Sequence, residues 1–259
     1  MNEYRFKRVF IIVLDSIGIG KAIDAAKFSD FGSNTFKRID ELFDNFQVSN
    51  LEKLGWGDFD DYQNLKKIGH PQSYTIRAHQ KSFGKDTMTG HWELMGIKVI
   101  KPFVTFTDTG FPTALLNQIA NYSNRGIIGN ISASGTEIIK DLGPKHMETG
   151  DLIVYTSADS VLQIAAHELI VPIQELYDIC EYVRKITLKN EWKVGRIIAR
   201  PFIGNAPNNF KRTTNRHDYA LSPPNATYLN FLQSEGFKTI AVGKINDIFN
   251  GSGIDESYK

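Results

Sequence analysis

The chain has 259 residues, 41% of them hydrophobic, so it can bury a sizeable core in one or two globular domains, and disorder is excluded. Its 30 basic and 29 acidic residues are well mixed and leave a net charge of +1, which argues against DNA or an anionic membrane surface as a general electrostatic partner. Any anion is expected to bind locally. The single cysteine, Cys180, forbids an intrachain disulfide and fits a reducing cytoplasm.

Lys7-Arg8 followed by an apolar run imitates a secretion signal, but Asp15 ends the run after six residues. No other stretch approaches the roughly 20 apolar residues needed to cross a bilayer. The run at residues 9–14 predicts a strand buried on both faces in a parallel sheet, with Asp15 at its carboxyl end, where open α/β sheets bind ligands. A solvated turn Asp fits that position equally well. Gly18 and Gly20 do not make a dinucleotide fingerprint, because the third glycine position holds Ile23.

Between residues 34 and 54, Phe36, Ile39, Leu42, Phe43 and Phe46 recur at helical spacing and are expected in the core; Leu51 and Leu54 begin a second short helix closed by Gly55. Gly55-Trp56-Gly57-Asp58 reads as an irregular surface loop. Then comes Gly84-Lys85-Asp86-Thr87-Met88-Thr89-Gly90-His91-Trp92-Glu93. Its glycines free the backbone, and a hydroxyl such as that of Thr87 becomes a phosphoryl acceptor when a cation binds its oxygen, with Lys85 at hand for phosphate charge. An ordinary turn closed by an Asx-type bond from Asp86 accounts for the same residues, and the glycine–lysine–threonine order is wrong for a Walker loop. His91 suits a metal ligand or a structural role.

From Lys101-Pro102 onward the character changes to a compact mixed unit. Helices are predicted at residues 114–121, 137–142 and from Pro172, the second opened by a Ser134-x-x-Glu137 capping box and stopped by Gly143-Pro144. Strands are predicted at residues 126–129, 152–156, 161–166 and 194–199. The third helix places Ile173, Leu176, Ile179, Cys180, Val183 and Ile186 on one face, so Cys180 reads as core. After a loop at residues 204–224, a helix at 226–235 and a strand at 238–242 resume a βαβ style. Tyr155-Thr156-Ser157-Ala158-Asp159-Ser160 ends a strand with the small polar groups that bond sugar hydroxyls, though a tight turn explains it as well. Arg196 and Arg200, four apart on a strand, share a face and suit an anion. Lys211-Arg212, Arg216-His217-Asp218 and Lys244 place further charge nearby.

The runs at residues 13–20, 84–93, 133–137, 155–168, 195–202, 215–220 and 241–245 resemble, in order, the phosphopentomutase family of alkaline-phosphatase-like metalloenzymes. The resemblance implies an α/β fold: a core sheet, incomplete in this chain, at residues 1–99 and 219–259, interrupted by a smaller α/β cap at 100–218. It implies interconversion of ribose 1-phosphate and ribose 5-phosphate, and of their deoxy counterparts, through a phosphorylated Thr87. Asp15 and Thr87 would be metal ligands for a pair of manganese ions, and Ser157, Asp159, Arg196, Arg212 and Lys244 would contact the pentose phosphate. A bisphosphorylated sugar would charge Thr87 initially. The family's remaining metal ligands, including an Asp-His-Gly motif, do not occur after Gly251, so the chain is expected to bind manganese poorly and turn over slowly. Its incomplete core sheet is expected to expose an apolar edge that invites association. A related phosphatase or phosphoglycerate mutase, and a non-catalytic sugar-phosphate binder, remain the alternatives.

Overall fold

The computed structural model describes residues 6–258, the side chain of Asn190 excepted. The chain divides into two compact units, one ending at Gln80 and the other starting at Lys81.

In the first unit, residues 9–14 form no strand, and Ile12 is 81% exposed. This corrects the expected buried strand. An apolar run becomes a sheet member only when neighbours take up its N–H and C=O groups, and among the described residues no strand pairs with it. Helix α1 (Thr35–Leu42) is capped by Asn34, whose side chain accepts the Lys37 N–H at 3.2 Å. A short α2 (Ser49–Lys53) follows. The buried face of α1 is Phe36 and Asp40, one turn apart, while Leu42 and Phe43 are exposed, contrary to expectation. Phe36 meets Phe46, Trp56 and Tyr62 edge-on at 5.3–5.6 Å. Asp40 is tolerable inside because its carboxylate accepts the N–H groups of Gln63 and Asn64 at 2.5 and 3.0 Å. These contacts draw residues 55–64 inward, so Gly55 and Gly57 are buried and Trp56–Asp58 form a 3-10 turn instead of a surface loop.

The second unit opens with α3 (Thr87–Leu94) and continues through α4 (Thr113–Ser123), β1 (Ile127–Ser132), α5 (Gly135–Thr149), β2 (Leu152–Thr156), β3 (Val161–His167), α6 (Ile173–Ile186) and β4 (Arg196–Ile203). Strands β5 (Lys211–Arg212) and β6 (His217–Ala220) lie within the stretch expected to be a loop. Both are short polar edge strands whose sequence carries no alternation to betray them. Helix α7 (Tyr228–Ser234), β7 (Ile240–Val242), α8 (Ile245–Ile248) and β8 (Glu256–Tyr258) complete the unit, β7 and β8 forming a two-stranded parallel sheet.

The main sheet runs β1-β2-β3-β4, with β5 and β6 both pairing with β4. It is mixed: β1 with β2 and β3 with β4 are parallel, joined by α5 and α6, and the other pairs are antiparallel. Its two faces differ. Leu152, Val154, Leu162, Ile164, Ala166, Ile197 and Ala199 pack under α4 and α6, where Leu115, Ile119, Leu176, Ile179, Cys180 and Val183 are fully or almost fully buried. On the other face α5 covers only the part built from Ile153, Tyr155, Ala165 and Phe202.

Helix α5 does not stop at Gly143-Pro144 but runs on to Thr149 and ends at Gly150 in the left-handed conformation. An interior proline costs about 3 kcal/mol. Tertiary contacts offset it: a Cβ on Gly143 would stand 2.5 Å from Phe210 Cε2, so only glycine admits that ring. Beyond the proline, buried His146 donates Nδ1–H to the Asp151 carbonyl at 2.5 Å and accepts the His167 N–H on Nε2 at 2.8 Å.

Candidate active site

Thr87 is the first residue of α3, whose cap is Asp86: the carboxylate accepts the Thr89 N–H at 2.8 Å and the Thr89 hydroxyl at 2.6 Å. The turn and the site are therefore one object, since the Asx-type bond creates the helix start that holds Thr87. At that position the unpaired N–H groups and the positive end of the helix favour negative charge, such as a phosphoryl group. His91 Nδ1 lies 2.7 Å from the Thr87 carbonyl and 3.3 Å from its hydroxyl, so the ring is occupied within its own helix turn. Glu93 anchors the approach to α3 by accepting the Lys81 and Ser82 N–H groups at 2.7 and 2.6 Å. Burial pushes its pKa up, but bonds from the Ser82 hydroxyl and these two amides prevail and hold it below the ordinary range.

Met88 and Trp92, on the buried side of α3, pack with Ala220 and Leu221 at the end of β6 and with Ile248 and Phe249 around α8. Trp92 Nε1 donates to the Ile248 carbonyl at 3.1 Å. Met88 also abuts Gly195, where an added Cβ would lie 3.3 Å from its sulfur. The residue after Thr87 is thus packed against the residue before Arg196, while Lys244 caps the start of α8 on the same cluster.

Arg196 is the first residue of β4, held by Asp218 Oδ2 at 3.3 Å and reached by Asp159 Oδ2 at 3.7 Å. The same Asp218 oxygen takes Arg216 at 2.6 Å. Asp218 Oδ1 is buried without a hydrogen-bond partner. Farther along β4, Arg200 donates Nε to Gln163 Oε1 at 2.9 Å, and on β5 the exposed Arg212 reaches Thr136 Oγ1 at 3.2 Å. Burial chiefly lowers the Arg200 pKa, and repulsion from Arg216 and Arg212 adds to it. Ser157 lies in the β2–β3 turn, its carbonyl accepting the Thr107 hydroxyl at 3.0 Å.

Of the residues singled out in the sequence, Ser157, Asp159, Arg196 and Arg212 thus belong to one mixed sheet and its turns, while Thr87 and Lys244 lie on elements of the adjoining cluster. Asp15 belongs to the first unit, exposed in a turn whose next residue, Ser16, has φ +61°. Sequence reasoning missed Asp218 as the carboxylate between two arginines, because β6 was read as loop, and missed Gln163 as the partner of Arg200. Strand alternation through Val161, Gln163 and Ala165 marks the face and was the available signal.

Among the described residues no group of three or more His, Cys, Asp or Glu side chains comes together to hold a metal ion. Asp15 and Thr87 offer hard oxygen donors, but not a coordination shell. None of the described helices is long and apolar enough to cross a membrane.

Comparison with known proteins gives the family. The phosphopentomutases of Clostridium beijerinckii, Clostridium tetani and Clostridium botulinum are each 51% identical over 255 residues, which is 98% of this chain and 64% of theirs. The chain therefore spans somewhat less than two thirds of the length of the curated relatives it matches. The model of the Metalloenzyme superfamily matches residues 7–259, which makes a metal cofactor part of the family's chemistry. With a matching α/β fold and 51% identity to three of its enzymes, the chain belongs to the Metalloenzyme superfamily.

Proposed function

We propose that the chain is phosphopentomutase polypeptide, acting on ribose 1-phosphate, ribose 5-phosphate and their deoxy forms. The observation that carries this reading is the 51% identity to phosphopentomutases across almost the entire chain, including both the Thr87 and the Arg196 segments. The geometry supports it. Thr87 at the start of a helix suits a phosphoryl group. Arg196, Arg212 and Lys244 would take phosphate oxygens, and Ser157 and Asp159 the sugar hydroxyls. Manganese would neutralise phosphoryl charge, with Asp15 and Thr87 among its ligands, and a bisphosphorylated sugar would supply the first phosphoryl group.

The proposal is tested with chain in excess over ribose 1,5-bisphosphate at saturating manganese, followed by intact and fragment mass measurement. A gain of one phosphoryl group on Thr87, lost in Thr87→Ala, is the expected result; modification elsewhere, or none after long incubation, counts against it. The missing cluster of metal donors among the described residues favours a second reading, a non-catalytic sugar-phosphate binder. That reading predicts binding of ribose 5-phosphate without manganese and no phosphoryl transfer.

A further inference from the structure

Tyr155 is fully buried, and its hydroxyl has no hydrogen-bond partner. It points at the first turn of the 15-residue α5: a Cβ on Gly135 would stand 2.6 Å from Oη and 3.2 Å from Arg212 Nη1. Only glycine lets that turn approach so closely. The first N–H groups of a helix have no partner within it, and that of Thr136 is met by Ser134 Oγ at 3.4 Å. Burial raises the phenol pKa while Arg200, Arg212 and Arg216 pull the other way, so Oη keeps its proton as a donor. Arg200 faces like charges in Arg212 and Arg216, and its Nε bonds a neutral amide oxygen. Asp218 takes Arg196 and Arg216 on one oxygen and pairs with neither Arg200 nor Arg212. Donors and cations thus gather beside the start of α5, where, among the described residues, Arg200 and Arg212 are met only by the neutral oxygens of Gln163 and Thr136.

We infer that Arg200, Arg212, the Tyr155 hydroxyl and the first turn of α5 form a subsite for a dianionic phosphate monoester. This adds Tyr155, Arg200 and the α5 amides to the substrate positions above, and as a sugar-phosphate subsite it rests on the function proposed there. Arg212, exposed and bonded to Thr136, turns its guanidinium to the anion as it enters. Each hydrogen bond to a doubly charged phosphate is strong, whereas an unfilled buried hydroxyl is a burden to the empty fold.

Thermal unfolding of the full chain, titrated separately with inorganic phosphate and ribose 5-phosphate against sodium chloride of matched ionic strength, tests the assignment. The wild type should gain Tm saturably with both. Tyr155→Phe should match or exceed the wild type in Tm without ligand, yet bind phosphate about tenfold more weakly. Arg200→Gln should weaken binding at least as much. Equal phosphate affinity in all three proteins overturns the subsite, as does a wild-type response that sodium chloride reproduces. Failure to phosphorylate Thr87 with phosphate binding intact would count against the mutase reading alone.

Discussion

His146 illustrates how one buried side chain sets a pH limit. Both ring nitrogens are committed, one as donor to Asp151 and one as acceptor from His167, so the neutral ring is the only form that fits. Burial lowers its pKa foremost, and the nearby His167 and Arg125 reinforce that, against an opposing bond to Asp151. The unfolded chain takes up a proton near pH about 6.5 and the folded chain does so only at lower pH, so stability must fall as pH drops below that value. Urea midpoints measured from pH 7.5 to 5 should show this decline, and His146→Gln, less stable throughout, should show a shallower one. An identical slope in the variant would remove His146 from the account. The arginines tell a parallel story about legibility. That Arg196 and Arg200 share a face follows from strand period alone, but Asp218 as the counterion of Arg196 depends on the register of β6 against β4, which no local pattern encodes. The orphaned hydroxyl of Tyr155 is likewise a property of three elements meeting.

Among elements, α3 depends on a single cap. Asp86→Ala removes two bonds to Thr89 and should cost about 0.5–2 kcal/mol, read as a lower denaturation midpoint, with Asp86→Asn closer to wild type. If the alanine variant were as stable as wild type, the cap would not be what orders the start of α3. Where local sequence and tertiary packing agree, the elements could be read directly: β2 was expected at its observed bounds because five consecutive residues are buried, and α6 starts beside Pro172 as its sequence requires. Where the two conflict, packing prevailed. Phe210 against Gly143, with the His146 bonds beyond, carries α5 through Pro144. Residues 9–14 show the reverse, with ample apolar content and no strand to pair with among the described residues. Periodicity reports what a segment needs to bury, not whether a neighbour is there to receive it.

At the scale of the whole molecule, large apolar side chains are exposed in both units. Val9, Phe10 and Ile12 are 77–81% exposed in the first unit, and Ile240, Val242 and Tyr258 on the small sheet are more than half exposed. Surfaces of this kind promote association. Light scattering across a concentration series should show mass rising with concentration, and Ile12→Lys together with Val242→Lys should lower it. A constant monomer mass for the wild type would refute this expectation.

Cys180 lies at zero exposure between α6 and the sheet, where burial raises its pKa and leaves it a poor nucleophile. As the chain's one thiol, it makes the molecule its own stopwatch: the rate at which a maleimide captures it reports how often the packing beneath α6 springs open. A cysteine placed on the surface would then be labelled first, with the native thiol left in reserve.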